Sequence, residues 1–178
     1  MSPARADWTR ELVEGRRLLL ACAIGLGAGV HALAFYSVGV FIKPLEAEFG
    51  WSRTQLSVAP SLLILLLALA TPLLGMIADK RGERPLIRFG LLTLGVAFLA
   101  LAASGNLLLF YGLHAAMAVL AAGSAAPTYM RIVNRSFVQA RGTALAIAML
   151  GTSAVSMATP VLLGALVLSN GWRAGYLA

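Results

Sequence analysis

The chain has 178 residues, of which 60% are hydrophobic and only 12% are charged, and its mean hydropathy is +0.85. Because soluble domains have about a quarter of their residues charged, this composition excludes a water-soluble surface. The formal net charge of +7 comes without a basic groove interleaved with aromatic residues, so we expect contact with a lipid bilayer and no nucleic-acid partner.

Uncharged runs divide the chain into segments long enough to cross a membrane. A helix needs about 20 apolar residues to cross a bilayer core of about 30 Å. The run over 89–130 would form a helix of about 63 Å, so we expect it to fold back at residues 104–106. The runs are continuous and lack the alternation of barrel strands, which favours helices. The predicted spans cover 18–42, 56–78, 87–103, 107–130 and 143–168.

The predicted fold is an all-α, polytopic membrane helical bundle with five complete transmembrane helices and the start of a sixth. Residues 1–17 form an N-terminal tail, and residues 18–178 form the transmembrane bundle. Residues 172–178 make a helix of only about 10 Å, whose last backbone groups would be poorly satisfied in lipid. We therefore expect that Ala178 is not a natural end and that the bundle is incomplete at its C-terminus.

The distribution of Lys and Arg predicts the orientation, since cytoplasmic connectors carry the excess of these residues. With the N-terminus inside, eleven of the fourteen basic residues lie on the cytoplasmic side, which includes the connectors 79–86 and 131–141. Only Lys43, Arg53 and Arg173 lie on the opposite side. We therefore expect a multi-pass protein of the cell (plasma or inner) membrane with a cytoplasmic N-terminus.

A short charged connector follows the second span, in the stretch GMIADKRGERPLI at 75–87. It places five charges within six residues, directly after an apolar run that carries none. The spacing resembles the G-x-x-x-D-R-x-G-R-R loop motif of the major facilitator superfamily, with a lysine in place of the first arginine. We call the matching residues the gate motif: Gly75, Asp79, Lys80, Gly82 and Arg84.

Three further stretches strengthen the resemblance. Residues 49–53, 141–142 and 171–173 are similar to the branch that contains monocarboxylate and oxalate/formate transporters. The resemblance covers residues 18–178 and implies the N-terminal half of a secondary transporter. Its partners would be a small-molecule solute such as an organic anion, the lipid bilayer, and a C-terminal half that this chain lacks. The alternative is a non-transporting membrane protein, either a truncated relic or a partner subunit.

Each residue of the gate motif has a physical reason. Gly75 lets a neighbouring helix approach the end of span two closely, and Gly82 permits a tight reversal with a positive φ. In the resembling family, Asp79 faces the N-terminus of a helix from the other half, where the helix dipole favours an anion. A positive-inside anchor alone would account for Lys80 and Arg84, but not for Asp79 or the two glycines.

Glu83 departs from the motif, because an arginine is usual at its position. Relatives often pair that arginine with an acid at the inner end of span four. In this chain Arg131 and Arg135 lie at that end, so we expect an ion pair with reversed charges that biases one conformation. Exposed pairs contribute only about 0–1 kcal/mol, and the alternative is a solvated loop acid.

Small residues recur at every fourth position of the fifth span. This spacing predicts a slowly drifting packing seam along one helix face. In the resembling family the seam lies against the opposite half and slides as access alternates, whereas a simple packing seam is the alternative. Its members are Ala144, Ala148, Thr152, Ser156, Pro160 and Gly164.

Ionisable residues within spans are functional candidates. No Asp or Glu falls within the predicted spans, so we expect no carboxylate proton relay in this half. His31 and His114 lie in spans one and four, which line the central cavity of the resembling family, and we expect His114 to contact the solute, with His31 secondary. Tyr36 occupies the place of a substrate-pairing lysine in animal monocarboxylate carriers. For the two histidines, the alternative to a solute contact is a neutral ring whose hydrogen bonds are made within the bundle. For Tyr36, the alternative is an aromatic residue at the membrane interface.

Patterns that carry covalent chemistry are absent from the sequence. It offers no nucleophile–base pair, no phosphate-cradling loop and no metal-ligand cluster. We therefore expect neither an enzyme nor a cofactor. The resemblance instead implies transport by the rocking of two six-helix bundles around a midplane site.

Overall fold

The computed structural model describes the backbone of residues 3–177 and the side chains of residues 8–177. Ala178, which the sequence predicts to be an unnatural end, lies outside the described residues. Every regular element within them is a helix, which confirms the all-α bundle. In chain order the α-helices are α1 (Pro3–Glu14), α2 (Arg16–Gly27), α3 (Tyr36–Phe49), α4 (Arg53–Arg81), α5 (Glu83–Ala102), α6 (Leu107–Leu120), α7 (Ala126–Ser136), α8 (Arg141–Asn170) and α9 (Trp172–Leu177).

Within the part of the chain that the structure describes, five helical segments are long and apolar enough to cross a membrane, which confirms the five predicted spans. Span one combines α2 and α3 around a π-helical turn at His31–Phe35, and span four joins α6 to α7 through a 3-10 turn at Ala121–Ser124. After Gly171, α9 begins a further helix where the sequence predicts a sixth span. Spans one to five cover Arg16–Phe49, Arg53–Arg81, Glu83–Ala102, Leu107–Ser136 and Arg141–Asn170.

The helices extend further than the apolar runs, so the predicted connectors at 79–86 and 131–141 are wrong in extent. Gly82 alone separates α4 from α5, and residues 137–140 separate α7 from α8. Helical hydrogen bonding does not stop at the edge of the hydrocarbon core. Span five has 30 residues and is therefore about 45 Å long, close to the thickness of a bilayer with its headgroups. The charged helix ends thus project into the headgroup region.

The two ends of the bundle differ in composition. Consecutive spans alternate in direction, so the connectors alternate between the two ends. We call the end formed by α1, Gly82 and residues 137–140 the basic end. The end formed by residues 50–52, residues 103–106 and Gly171 is the aromatic end.

At the aromatic end, two of the stretches that carry the family resemblance lie against each other. Glu48 accepts a hydrogen bond from Trp172 Nε1 at 2.5 Å and pairs with Arg173 at 2.8 Å. The rings of Phe49 and Trp51 stack with their centroids 4.5 Å apart. Glu48 belongs to the helix of span one, which continues past the predicted end at residue 42, and lies in its last turn. These contacts hold the start of α9 against the end of α3.

Spans one and four are both interrupted within their length, and the interruptions touch. The N–H of Val30, just before the π-helical turn, donates to Ser124 Oγ at 3.3 Å. A Cβ on Gly29 would lie 2.4 Å from Ser124 O, and a Cβ on Gly90 of span three would lie 2.6 Å from Ser124 N. The backbones of spans one, three and four therefore meet where only glycine leaves enough room.

Candidate functional site

The gate motif lies at the turn between α4 and α5, at the basic end. Gly82 has a φ of +81°, a value that favours glycine, and its N–H donates to Ala78 O at 2.8 Å. The chain therefore reverses over one residue with the positive φ that the sequence predicts for Gly82. Asp79 lies near the end of α4 and Glu83 is the first residue of α5, so both carboxylates lie beside this turn.

Two acids and two arginines come together beside the turn. Arg131 and Arg135 lie one helical turn apart on α7. Arg131 Nη2 donates to Asp79 Oδ1, and its Nε lies 3.6 Å from Glu83 Oε1. Arg135 Nη1 donates to Glu83 Oε1 at 2.7 Å, and its Nη2 lies 3.7 Å from Asp79 Oδ1. We call Asp79, Glu83, Arg131 and Arg135 the charge cluster.

Glu83 is the most enclosed member of the charge cluster. Its side chain is 13% exposed, whereas those of Asp79 and Arg135 are each 60% exposed. Exposed ion pairs contribute only about 0–1 kcal/mol because water competes for both partners. Glu83, which meets both arginines, therefore contributes most to the fixed geometry. Glu83 ties span three to span four, and Asp79 ties span two to span four, at the basic end.

The structure brings Glu83 into contact with both arginines that the sequence proposes as its partners. The contact between Asp79 and Arg131 was not predicted, because the resemblance assigns Asp79 a partner outside this chain. A usable signal was the equal spacing of the charges, because the two acids are four residues apart around Gly82 and the two arginines are four residues apart on one helix face. The expected contact of Asp79 with a helix of another half stays a prediction.

The comparison with known proteins agrees with this geometry. The profile of the Major Facilitator Superfamily matches residues 24–178, from span one to the end of the chain. The chain belongs to the Major Facilitator Superfamily. It is therefore a multi-pass membrane protein and a transporter of the major facilitator kind. Among curated proteins, no match to the chain was found, and the closer resemblance to the monocarboxylate and oxalate/formate branch stays a prediction.

The other gate-motif residues of this superfamily member surround the cluster. Among the described residues, the atom that a Cβ on Gly75 would approach is Arg131 Nη1, at 3.9 Å. The close helix approach predicted at Gly75 therefore does not occur within this half. Gly75 and Arg131 instead line a cleft of about 200 Å³ between α4 and α7. Lys80 is exposed, and Arg84 lines a groove of about 800 Å³ between α2, α5 and α7.

The small-residue stripe of span five does not form one continuous seam. Ala144 and Ala148 are buried in a core cluster with residues of α2. Pro160 is exposed, and a Cβ on Gly164 would meet nothing within 4 Å. Four residues turn a helix by about 400°, so the stripe drifts by about 40° per step and by about 200° between Ala144 and Gly164. Its first part thus packs within this chain, and its last part is open.

The closest approach of span five to span one occurs beside the stripe. A Cβ on Gly151 would lie 1.8 Å from Ala23 O, and a Cβ on Gly27 would lie 3.0 Å from Gly151 O. Thr152 and Ser156, the middle members of the stripe, are only half-buried. Gly151 was missing from the predicted seam because it does not fit the spacing of four residues. It is nevertheless the residue whose lack of a side chain lets α2 pack closely against α8.

The three residues proposed to line a solute cavity, His31, Tyr36 and His114, differ in their exposure. His31 begins the π-helical turn and is exposed, and Tyr36, at the start of α3, is 45% exposed. His114 is only 2% exposed: its Nδ1 lies 2.9 Å from Phe110 O and its ring centroid 4.4 Å from that of Phe110. In this conformation His114 is a satisfied core residue that a solute does not reach. The expected contact between His114 and a solute stays a prediction for another conformation.

The site is built from fixed charges at the basic end and from polar groups on span one. Among the residues that the structure describes, no group of three or more His, Cys, Asp or Glu side chains could hold a metal ion. What the charge cluster can do is electrostatic: it orients the Asp79 carboxylate and holds three spans in register.

Proposed function

We propose that this chain is the N-terminal bundle of a secondary transporter that moves a small solute by alternating access, without covalent chemistry. The charge cluster carries this proposal. Asp79 is bound to Arg131 through one oxygen, yet its side chain is 60% exposed, so a second partner can approach it. A helix N-terminus of another bundle suits such a carboxylate, since the positive end of a helix dipole stabilises an anion. The cluster would then act as a gate that closes when the two bundles meet.

We further propose that the basic end faces the cytoplasm of a plasma or inner membrane. The support is the excess of Lys and Arg at this end, which disfavours its translocation. Anionic lipids of the cytoplasmic leaflet attract the same residues. A gate at this end controls access to the solute site from the cytoplasm.

The solute would be small and polar, with an organic anion as the favoured class. His31 and Tyr36 are open on span one, and a protonated histidine can pair with an anion. His114 lies on the buried face of α6, which packs against α4 and α5. It can bind a solute only when these helices part, so its contribution would be coupled to a conformational change.

A groove along spans one and three supports a sixth span in this bundle. Near the aromatic end, a cavity of about 390 Å³ is lined by Leu33 of span one, Phe98 of span three and Leu177 of α9. Nearer the basic end, a cavity of about 800 Å³ follows between α2, α5 and α7. We infer that a helix continuing α9 lies in this groove, because a groove between helices in lipid is suited to a closely packed third helix.

Transport by the complete gene product in proteoliposomes tests the proposed function. We expect uptake of a labelled organic anion or another small polar solute, driven by an imposed ion gradient. Asp79→Asn keeps the shape of the side chain but removes its charge, so uptake should fall roughly tenfold, within the usual range of coupling between conformational states. Glu14→Gln also replaces an exposed acid at the basic end by its amide but lies outside the gate motif and the charge cluster, so it is the matched control and should transport like the parent.

Two outcomes would contradict this proposal at different levels. A protein that inserts normally but takes up none of the tested solutes would favour a non-transporting partner subunit. Equal uptake by the parent and by Asp79→Asn would show transport without a gate at the charge cluster.

A further inference from the structure

The longest helix of the bundle, α8, begins without a cap of its own. Its N-cap position is Ala140, no side chain of its own caps the helix, and its first turn contains no acid. The first N–H groups of a helix have no acceptors within the helix. Alanine is a poor N-cap because it offers no side-chain acceptor. The start of α8 therefore needs acceptors from elsewhere in the molecule.

Glu11 of α1 supplies an acceptor for the N-cap residue of α8 and for the two N–H groups of the connector directly before it. Its Oε1 accepts a hydrogen bond from Val138 N–H at 2.7 Å. Its Oε2 accepts from Gln139 N–H at 3.1 Å and from Ala140 N–H at 2.7 Å. Three successive backbone donors thus converge on one carboxylate, at the helix end where the dipole also favours a negative charge.

Apolar packing fixes α1 in the position that this contact requires. Phe137, which directly precedes the three donors, is 1% exposed. Its ring packs against Gly15 of the N-terminal segment so closely that a Cβ on Gly15 would lie 2.3 Å from the ring. Trp8 and Leu12 pack against the same core cluster, which includes Val133 of α7. The side chain of Glu11 is therefore held at the start of α8 and does not reach it from a free tail.

We propose that α1 is a capping helix for span five: the Glu11 carboxylate caps α8 from outside its own segment and fixes the connector between spans four and five. The connector follows α7 directly, and α7 carries Arg131 and Arg135 of the charge cluster. The N-terminal helix thereby sets how the basic ends of spans four and five lie relative to each other. Loss of this cap loosens the connector first and the charge cluster second.

The negative charge of the Glu11 carboxylate contributes to this cap. The hydrogen bonds from Val138, Ala140 and Gln139, together with the nearby Arg141 of α8, hold the pKa of Glu11 below its ordinary value of 4.5. The carboxylate is therefore ionised at neutral pH. Because the folded-state pKa is lowered, the stabilisation is fully present above about pH 4.5 and is lost as the pH falls through the lowered pKa.

Amide hydrogen exchange over residues 137–141 tests the capping role in the complete gene product. In Glu11→Gln, exchange at residues 138–140 should become about fivefold faster, the effect expected from losing a helix cap. Glu14→Gln is the matched control, because Glu14 lies one turn further on α1 and pairs with Arg10 of the same helix. Its exchange at these amides should equal that of the parent.

The dependence of the melting temperature on pH separates capping from packing. The difference between the parent and Glu11→Gln should be constant at neutral pH and shrink as the pH falls below about 4.5. Unchanged exchange at residues 138–140 in Glu11→Gln would overturn the proposal. A difference in melting temperature that stays constant down to pH 3, well below the ordinary carboxyl pKa of about 4, would also overturn it, because the charge would then contribute nothing.

Discussion

Glu83 is the acid around which the charge cluster is arranged. Its side chain is 13% exposed, and it lies 2.7 Å from Arg135 Nη1 and 3.6 Å from Arg131 Nε. Ion pairs that are shielded from water lose less of their attraction to screening by solvent and salt. Glu83 should therefore tie span three to span four more firmly than the exposed Asp79 ties span two to span four.

Reversing the charge of Glu83 should impair transport, because three cations would then meet a single acid. In Glu83→Arg combined with Arg135→Glu, the pair can form again with its charges exchanged, so part of the lost activity should return. We expect a coupling energy of about 1 kcal/mol from a double-mutant cycle on the stability of the purified protein. Transport rate and melting temperature measure the two effects.

Arg84→Glu provides the control for this cycle. Arg84 is adjacent to Glu83 but is exposed and does not belong to the charge cluster. Its reversal should show no coupling with Arg135→Glu. Additive effects of Glu83→Arg and Arg135→Glu would mean that the contact in the structure carries no pairing energy.

At this scale the sequence predicts some partners and misses others for clear reasons. The ion pair of Glu83 with the arginines of α7 was predictable, because an acid at a motif position that usually holds an arginine is expected to pair with a base in place of the usual acid. The partners of Glu11 could not be predicted from the sequence. They are backbone N–H groups 127, 128 and 129 residues away, and every residue type except proline has such a group, so no side-chain pattern indicates them. His114 was ambiguous, because a lone histidine in an apolar run looks the same whether or not it bonds to its own helix.

Glycines decide how the elements pack. Span one approaches span five through Gly27 and Gly151, with backbone facing backbone. In lipid no water is expelled when helices meet, so close packing of this kind supplies much of the association energy. A side chain added at such a point should therefore push the two helices apart and weaken their packing.

Gly151→Ala should lower the melting temperature of the purified protein, because its Cβ would lie 1.8 Å from Ala23 O, a backbone atom that cannot rotate away. Elsewhere in a helix, alanine is better than glycine by about 0.5–1 kcal/mol. Gly164→Ala is the matched control on the same helix, since its Cβ would meet nothing within 4 Å. It should leave the melting temperature equal or higher. An equal loss in both variants would refute a special role for the contact between α2 and α8.

The lengths of the apolar runs predict that five spans exist, but they do not predict where spans one and four are interrupted. Those interruptions lie where Gly29 and Gly90 approach Ser124, which are residues far apart in the sequence. The periodic stripe on span five packs within this chain only in its first part, and its expected contact with another half stays a prediction. Spacing by four drifts around a helix of 3.6 residues per turn, so regular spacing alone does not define one contact face.

The residues that the structure describes form two core clusters. One includes Phe41, Leu63 and Phe110 and joins all five spans with α9. The other lies at the basic end and joins α2, α7 and α8, with Trp8 and Leu12 of α1 packed against it. The N-terminal tail predicted from the sequence therefore contains a helix that belongs to the folded bundle. The sequence concealed this role because α1 is short and contributes only a few apolar residues.

The asymmetry between the two ends predicts how the whole bundle inserts. Eleven of the fourteen Lys and Arg residues belong to the basic end, and their translocation is disfavoured, so this end should stay in the cytoplasm. On a Cys22→Ala background, which removes the only native thiol, Lys80→Cys and Gly105→Cys place one labelling site at each end. A membrane-impermeant maleimide should label Gly105→Cys in intact cells and Lys80→Cys only after permeabilisation. Labelling of Lys80→Cys in intact cells would reverse the orientation, and the charge cluster would then control access from outside.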